Sequence, residues 1–181
     1  MRVFVAVFPP PELREEVLAR ARHLSLRGRV RWSRPENVHL TLKFLGDIRE
    51  EVLTGLCAAL KEVCERHAAF DAGLAGFGAF PSARRAQILW AGIGVGSDEL
   101  RSLATDLDAA LAPLGFEREK RLYTPHLTLG RARGQPASFE PPPEEYLGEF
   151  RVRRVELMES TLTPEGAVYR TVRAFALKEK S

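Results

Sequence analysis

The tetrapeptide His-Leu-Thr-Leu occurs twice in this chain of 181 residues, beginning at residue 39 and again at residue 126. Each copy lies in an apolar run that predicts a β-strand, and each follows a predicted strand and helix in the same order. The matching apolar runs VFVAVF and ILWAGI in the first strands begin at residues 3 and 88, so corresponding segments lie 85 residues (3 to 88) and 87 residues (39 to 126) apart. This period is too long for a solenoid, so we expect an internal duplication with two pseudo-symmetric lobes.

Apolar periodicity assigns the other elements. Helical stripes are predicted within residues 13–24, 52–64 and 100–114, and strands at residues 2–8, 29–33, 37–45, 70–80, 87–95 and 125–131. Residues 134–150 hold four of the twelve prolines, which predicts a loop. The last two strands, 151–159 and 167–177, are expected to form a hairpin around the Pro/Gly turn at residues 163–166.

The composition is that of a globular protein, with 45% hydrophobic and 28% charged residues. Cys57 and Cys64 are seven residues apart in a helical pattern, or about 10 Å of helix rise, which is too far for a disulfide. Buried free thiols suit a reducing compartment, so we expect a cytoplasmic protein. No apolar run approaches a membrane span, and the N-terminal segment MRVFVAVFPP is interpreted as the first strand rather than as a signal peptide.

The positive charge comes almost entirely from arginine, with 22 Arg against 5 Lys and a net charge of +3. The planar guanidinium group is suited to bidentate contact with phosphate. Arginine also accumulates in surface ion-pair networks, and a net charge of +3 is mild for this length. The charge therefore favours an anionic partner without requiring one.

The duplicated motif places polar side chains on one face of each strand. Because side chains alternate along a strand, His39 and Thr41 share a face, as do His126 and Thr128, and the leucines point the other way. If the lobes face each other, these polar faces form a groove with two imidazoles and two hydroxyls. Single His-x-Thr sequences are common on strands, but two copies at matching places in a repeat indicate function.

Two histidines supply what hydrolysis of a phosphodiester needs: a neutral imidazole as base and an imidazolium as acid. Each threonine hydroxyl can donate to a phosphate oxygen, and Arg131 adds positive charge nearby. This scheme requires no metal or cofactor. A zinc site is the alternative, but the sequence offers no further ligands at a suitable spacing.

The paired motifs, within NVHLTLKFLG and TPHLTLGRAR, resemble those of the 2H phosphoesterase superfamily. Together with the segments MRVFVAVFPP and FPSARRAQILWAG, they are similar to its RNA 2′,3′-cyclic phosphodiesterase branch, also called 2′-5′ RNA ligase. The resemblance covers almost the whole chain. It implies an α+β fold over residues 1–181, a single bilobal domain with two mostly antiparallel sheets lining a central groove and helices packed outside.

The resemblance further implies metal-free hydrolysis of terminal 2′,3′-cyclic phosphates of RNA to 2′-phosphomonoesters. His39 would be the proton donor, His126 the proton acceptor, and Thr41, Thr128 and Arg131 would hold the phosphate. Relatives often carry alanine where this chain has Gly130. Three alternatives remain open: joining of RNA ends by the reverse reaction, hydrolysis of a small nucleotide phosphodiester, and RNA binding without catalysis.

Four further side chains are candidate RNA contacts. Lys43 shares the face of Thr41 by alternation, Tyr123 lies near the second motif, and Arg84 and Arg85 form a pair in a loop. An ordinary structural role is the competing interpretation for each of them. The expected partner is RNA with a cyclic phosphate end; no membrane or protein partner is implied, and we expect a monomer.

Overall fold

The repeated strand–helix–strand unit is present in both halves of the chain. The computed structural model describes residues 1–179. Its strands are β1 (Arg2–Val7), β2 (Leu26–Arg27), β3 (Val30–Trp32), β4 (Leu40–Asp47), β5 (Phe70–Ser82), β6 (Arg85–Ile93), β7 (His126–Ala132), β8 (Ser138–Phe139), β9 (Tyr146–Val152), β10 (Arg154–Thr163) and β11 (Gly166–Ala176). Its α-helices are α1 (Pro11–Arg22), α2 (Leu53–Glu65) and α3 (Ser97–Leu111), and short 3₁₀ turns occupy Pro35–Asn37, Glu50–Val52 and Ala112–Leu114.

Nine strands form one antiparallel sheet in the order β11-β10-β1-β4-β7-β6-β5-β9, with β3 beside β7. The two predicted sheets are thus joined, and the junction is the single pair Leu40–Leu127 between β4 and β7. Strand β9 leads into β10 through one residue although the two lie far apart in the strand order. The sheet therefore curls strongly, and β2 and β8 form a separate ribbon.

The predicted pseudo-symmetry is visible around the β4–β7 junction. Strand β1 pairs with β4 on one side as β6 pairs with β7 on the other. The helices cross between the halves: α3, which follows β6, packs beside β4 and α2, whereas Leu13 of α1 lies against Gly148 of β9. This exchange ties the two halves together around the junction.

The core lies between the apolar side of the sheet and the helices. In α3, four leucines at helical spacing are buried, namely Leu100, Leu103, Leu107 and Leu111. Cys57 and Cys64 of α2 are buried free thiols, as their spacing predicted. Burial raises the pKa of the Cys64 thiol to about 12, with the charge of Glu65 adding to the shift, so this thiol stays protonated.

The predicted loop at residues 134–150 is wrong in part, because it contains β8 and the beginning of β9. After Pro143 the side chains of Leu147, Phe150 and Val152 are buried, and the strand pairs with β5. The cluster of prolines obscured this short edge strand in the sequence. The final hairpin is confirmed as β10 and β11, with its turn at residues 163–166.

None of the helices within residues 1–179 is long and apolar enough to cross a membrane.

Candidate active site

The junction of the two halves brings the two His-Leu-Thr-Leu motifs together. Leu40 and Leu127, the paired residues, are fully buried on the core side of the sheet. In this antiparallel register His39 neighbours Thr128 and His126 neighbours Thr41, all on the opposite side. These four side chains are half-buried. The structure therefore forms the shared polar surface that alternation predicts, hereafter the groove.

A β-bulge follows the threonine of each motif. On β1, Ala6 and Val5 are consecutive, but their partners on β4 are Thr41 and Lys43, so Leu42 is an extra residue. On β7 the extra residue is Leu129. Both bulges reset the alternation, and the residue after each one points toward the core. The bulges recur at matching positions, as expected of a duplication.

The prediction that Lys43 contacts RNA is wrong, because the bulge turns this side chain away from the groove. Lys43 is 4% exposed, and its Nζ donates to Asp108 of α3 at 2.7 Å and to the Glu117 carbonyl at 3.0 Å. Asp108 also accepts from Arg118 at 3.2 Å and from the Glu119 amide at 3.1 Å. Lys43 thus fixes the segment that leads to the second motif.

Asp108 is charged in this network. Burial alone would raise the pKa of its carboxyl group, but hydrogen bonds from Lys43, the Glu119 amide and Arg118, with the charge of Lys43, lower it overall. A charged Asp108 and a charged Lys43 form an ion pair under the groove floor.

His39 is held by two hydrogen bonds. Its Nδ1 is 2.6 Å from the carbonyl oxygen of Asn37, and its Nε2 is 2.9 Å from the hydroxyl oxygen of Thr41. Because a carbonyl only accepts, Nδ1 carries the proton in the neutral ring, and Nε2 accepts from the Thr41 hydroxyl. The two-residue spacing in the motif therefore sets the tautomer and the direction of the ring.

His126 has the same backbone anchor but fewer contacts. Its Nδ1 donates to the Thr124 carbonyl at 2.8 Å, again two residues back. Within residues 1–179 neither its Nε2 nor the Thr128 hydroxyl has a hydrogen-bond partner. The unprotonated Nε2 of His126 is thus available to a molecule in the groove.

Aromatic side chains surround the histidines unequally. His39 stacks on Phe4 at 4.8 Å between ring centroids and also contacts Tyr169 at 5.3 Å and Phe8 at 5.4 Å. His126 contacts Phe80 edge-on at 4.9 Å. The first imidazole is the more enclosed of the two.

This enclosure shifts the protonation of both rings. Burial lowers the pKa of His39 to about 4; the bond to the Asn37 carbonyl opposes the shift, and the charge of His126 adds to it. Burial also lowers the pKa of His126. The hydrogen bond to the Thr124 carbonyl opposes this shift, and the charge of Arg131 adds to it. Both imidazoles are therefore neutral in the free protein near pH 7.

Arg131 lies within β7 and is exposed, opposite Arg31 of β3. Its charge lowers the pKa of His126 and opposes the rise that burial causes in the pKa of Tyr169. Arg131 is thus close enough to both rings to add positive charge to the groove.

Gly130 marks the point at which the halves differ. A Cβ there would lie 2.8 Å from Val30 Cγ1 and 3.1 Å from the Arg31 carbonyl oxygen. Alanine at this position would need the Val30 side chain or the backbone of β3 to shift. The glycine thus permits the close pairing of β3 that positions Arg31 beside Arg131.

The other predicted RNA contacts have different placements. The Tyr123 hydroxyl donates to the Thr41 carbonyl at 2.9 Å, so this residue ties the segment before the second motif to the first motif. Its ring packs against the core, and burial raises its pKa, although the charge of Arg101 opposes the rise. Arg84 and Arg85 are exposed where β5 turns into β6, on the strand pair that carries Phe80.

Sequence reasoning missed the aromatic lining of the first histidine. Phe4 on β1 and Phe8 directly after it alternate with buried valines, so their placement on one face could have been predicted. Tyr169 carries no such signal, because it reaches His39 only through the placement of β11 beside β10 and β1 in the sheet.

Among residues 1–179 there is no group of three or more His, Cys, Asp or Glu side chains placed to hold a metal ion.

The fold and the paired motifs define a LigT-like phosphoesterase. The model of that family matches residues 7–90 and 93–169, and each matched segment contains one motif. The chain therefore belongs to the LigT-like phosphoesterase family, which confirms the resemblance found in the sequence.

Similar proteins agree in sequence and in fold. An RNA 2′,3′-cyclic phosphodiesterase of Archaeoglobus fulgidus is 36% identical over 179 residues, covering 97% of this chain and 99% of the relative. A solved structure from Thermus thermophilus superposes with a TM-score of 0.84 at 30% identity over 100% of both chains. The structure of E. coli LigT complexed with 3′-AMP gives a TM-score of 0.81 at 26% identity over 97% of each chain.

Proposed function

We propose that this protein hydrolyses 2′,3′-cyclic phosphate ends of RNA to 2′-phosphomonoesters by acid–base catalysis with His39 and His126. The observation that carries the proposal is the pair of imidazoles in one groove, each with Nδ1 bound to a backbone carbonyl. The names of the relatives support the reaction class, a hydrolase acting on phosphodiester bonds.

His126 is the proton acceptor in this proposal. Its Nδ1 proton is engaged by the Thr124 carbonyl, so the lone pair of Nε2 is free to take a proton from water. The lowered pKa keeps the ring neutral near pH 7, which is the state that a base needs. The activated water attacks phosphorus and forms the new P–O bond.

His39 is the proton donor. The bond between phosphorus and the 3′ oxygen breaks, and the leaving oxygen takes a proton from Nε2 of the imidazolium. With a pKa of about 4, His39 carries little of that proton in the free protein near pH 7. A phosphate anion in the groove favours the charged imidazolium, so substrate binding raises the pKa of His39 and promotes its protonation.

The two threonines and Arg131 hold the phosphate. The Thr128 hydroxyl has no hydrogen-bond partner among residues 1–179, whereas the Thr41 hydroxyl donates to His39 Nε2 until that atom is protonated. Protonation of His39 removes this acceptor and releases the Thr41 hydroxyl to a phosphate oxygen. Arg131 adds a charged donor at the same site.

The proposed reaction uses side chains of one chain and needs no metal or cofactor. Each half supplies one histidine and one threonine, so neither half is sufficient alone. We therefore propose that residues 1–181 act as one domain and as a monomer.

The test is turnover of an oligoribonucleotide ending in 2′,3′-cyclic phosphate, in EDTA, by wild type and by His39→Ala and His126→Ala. We expect the wild type to form a 2′-phosphate end, and each variant to lose about 10³-fold or more in kcat, since both proton transfers are required. His23→Ala, which removes an exposed histidine outside the groove, is the matched control.

Retained turnover in both variants, or loss of wild-type turnover in EDTA, would overturn the mechanism. Thermal unfolding of each variant separates a lost proton transfer from a lost fold. A parallel reaction with a 5′-hydroxyl RNA reports whether the same site joins ends.

A further inference from the structure

An exposed arginine surface extends from the groove along β3 and β7. The chain has no acidic residue between residues 24 and 35 or between residues 126 and 139. These segments contribute six exposed arginines, which we call the arginine surface: Arg27, Arg29, Arg31, Arg34, Arg131 and Arg133.

Strand pairing puts the four arginines at the β3–β7 pair on the side of the sheet that carries the histidines, whereas Arg27 and Arg34 lie outside this pairing. Arg31 is the cross-strand partner of Arg131, and the amide of Arg133 bonds to the Arg29 carbonyl at 2.9 Å. The intervening residues, Val30 and Ala132, pack against the core. The flanking arginines therefore point to the opposite face, which is the face of Thr128 and His126.

The arginine surface is not neutralised by the protein. None of its members forms an ion pair with an acidic side chain within residues 1–179; Arg31 and Arg34 each donate to the backbone carbonyl of Glu165 instead, at 3.2 and 2.9 Å. Among the arginines outside this surface, seven do pair with an acidic side chain within residues 1–179, namely Arg20, Arg66, Arg101, Arg118, Arg151, Arg154 and Arg170. Several guanidinium donors on this face are left without an acceptor.

We propose that the arginine surface binds the backbone phosphates of the RNA chain upstream of the cyclic phosphate. This inference rests on the proposed function and adds a binding site for the RNA chain upstream of the cyclic phosphate, which a lone nucleotide would not occupy. Unpaired guanidinium groups in a row fit a regular series of phosphates, and the row is continuous with the catalytic groove through Arg131.

The length of the surface sets the length of RNA that it can hold. From Thr128 to Arg133 is five residues of extended chain, or about 17 Å. A stacked single strand advances about 3.4 Å per nucleotide, so this distance corresponds to at most about five nucleotides. We expect substrate efficiency to rise with length and then to level off near that size.

The experiment compares wild type with the double variant Arg29→Gln/Arg133→Gln, which leaves Arg131 and the motifs intact. The substrates are a nucleoside 2′,3′-cyclic phosphate and a hexaribonucleotide with the same end. The control is Arg49→Gln/Arg153→Gln, which removes two exposed arginines outside the arginine surface.

We expect kcat/KM for the hexanucleotide to fall about tenfold in the double variant, with the nucleoside substrate and the control variant unchanged. The slope of log kcat/KM against log salt should lose about 1.4 in magnitude, since each phosphate contact to a single strand contributes about 0.7. Equal losses on both substrates, or no loss on either, would overturn the inference.

Binding keeps this test separate from catalysis. Fluorescence anisotropy with a labelled hexaribonucleotide bearing a 2′-phosphate end measures affinity without turnover. If wild type hydrolyses neither substrate, the proposed function fails, but weaker, less salt-dependent binding by the double variant still supports the arginine surface. If wild type and double variant bind equally, the arginine surface does not hold RNA.

Discussion

The two copies of the motif have the same local geometry in different surroundings. Both histidines bond through Nδ1 to the carbonyl two residues before them, and a bulge follows both threonines. His39 is enclosed by Phe4, Phe8 and Tyr169, whereas His126 contacts one phenylalanine and lies near Arg131. Duplication thus supplied two equivalent imidazoles, and tertiary packing made them different.

The difference extends to the residue after each bulge. In the first half this residue is Lys43, which binds Asp108 beneath the groove. In the second half it is Gly130, which lets β3 approach β7. The residue at this position thus forms a buried ion pair in the first half, whereas in the second half its missing side chain leaves room for a neighbouring strand.

The largest of three further effects is expected from breaking the ion pair between Lys43 and Asp108. Lys43→Met removes the cation that pairs with Asp108 and leaves the buried carboxylate charge only partly balanced. This change should lower the free energy of unfolding by about 3 kcal/mol. Urea unfolding measures this loss. Adding Asp108→Leu should restore part of it, since the uncompensated charge is then removed.

An unchanged unfolding free energy in Lys43→Met would contradict the view that this ion pair supports the groove. Exposed Lys61, which pairs with Glu65 at 3.6 Å, gives the control: Lys61→Met should cost less than about 1 kcal/mol.

The threonines should separate activity from stability. Thr41→Val and Thr128→Val each remove a proposed phosphate donor, so each should lower kcat/KM by about 10²-fold. Within residues 1–179 the Thr41 hydroxyl has a hydrogen-bond partner and the Thr128 hydroxyl has none, so Thr41→Val alone should also lower the free energy of unfolding, by about 1 kcal/mol. Steady-state kinetics and urea unfolding of the two variants check both parts.

Equal losses of unfolding free energy in the two valine variants would show that the two hydroxyls do not differ in their hydrogen bonding in the free protein. An activity loss confined to one variant would show that a single threonine holds the phosphate.

The smallest effect is a shift in titration. We expect NMR of the free protein to show His39 titrating near pH 4, and His126 titrating below the ordinary histidine pKa of about 6.5. Burial disfavours the charged ring, so each lowered pKa reports enclosure. Tyr169→Leu, which opens one side of the His39 ring, should move its pKa upward and leave His126 nearly unchanged.

Kinetics gives a second view of the same titrations. The pH profile of kcat/KM reports the pKa values of the free enzyme, and that of kcat reports those of the substrate complex. Because the bound phosphate raises both imidazole pKa values, kcat/KM should begin to fall at a lower pH than kcat on the alkaline side. If both profiles fall at the same pH on the alkaline side, substrate binding does not raise the pKa of His39.

The local parts of this site were predictable from sequence because they depend on neighbours along the chain. Alternation placed the histidine and threonine of each motif on one face, and the duplication predicted the symmetric junction. Alternation failed at Lys43, since a bulge depends on the partner strand and adds a residue that no period-2 pattern contains. The strand β9 was missed because the residues of β5 that pair with it lie 71 to 82 positions earlier in the chain.

The sequence by itself determined the chemistry available: two imidazoles, two hydroxyls and an excess of arginine over lysine. Only the tertiary structure decided how these groups differ. Enclosure of His39 depends on the β10–β11 hairpin, and the alignment of Arg31 with Arg131 depends on the space at Gly130. Protonation follows burial and nearby charge, and these are set by residues that meet only when distant segments pack together.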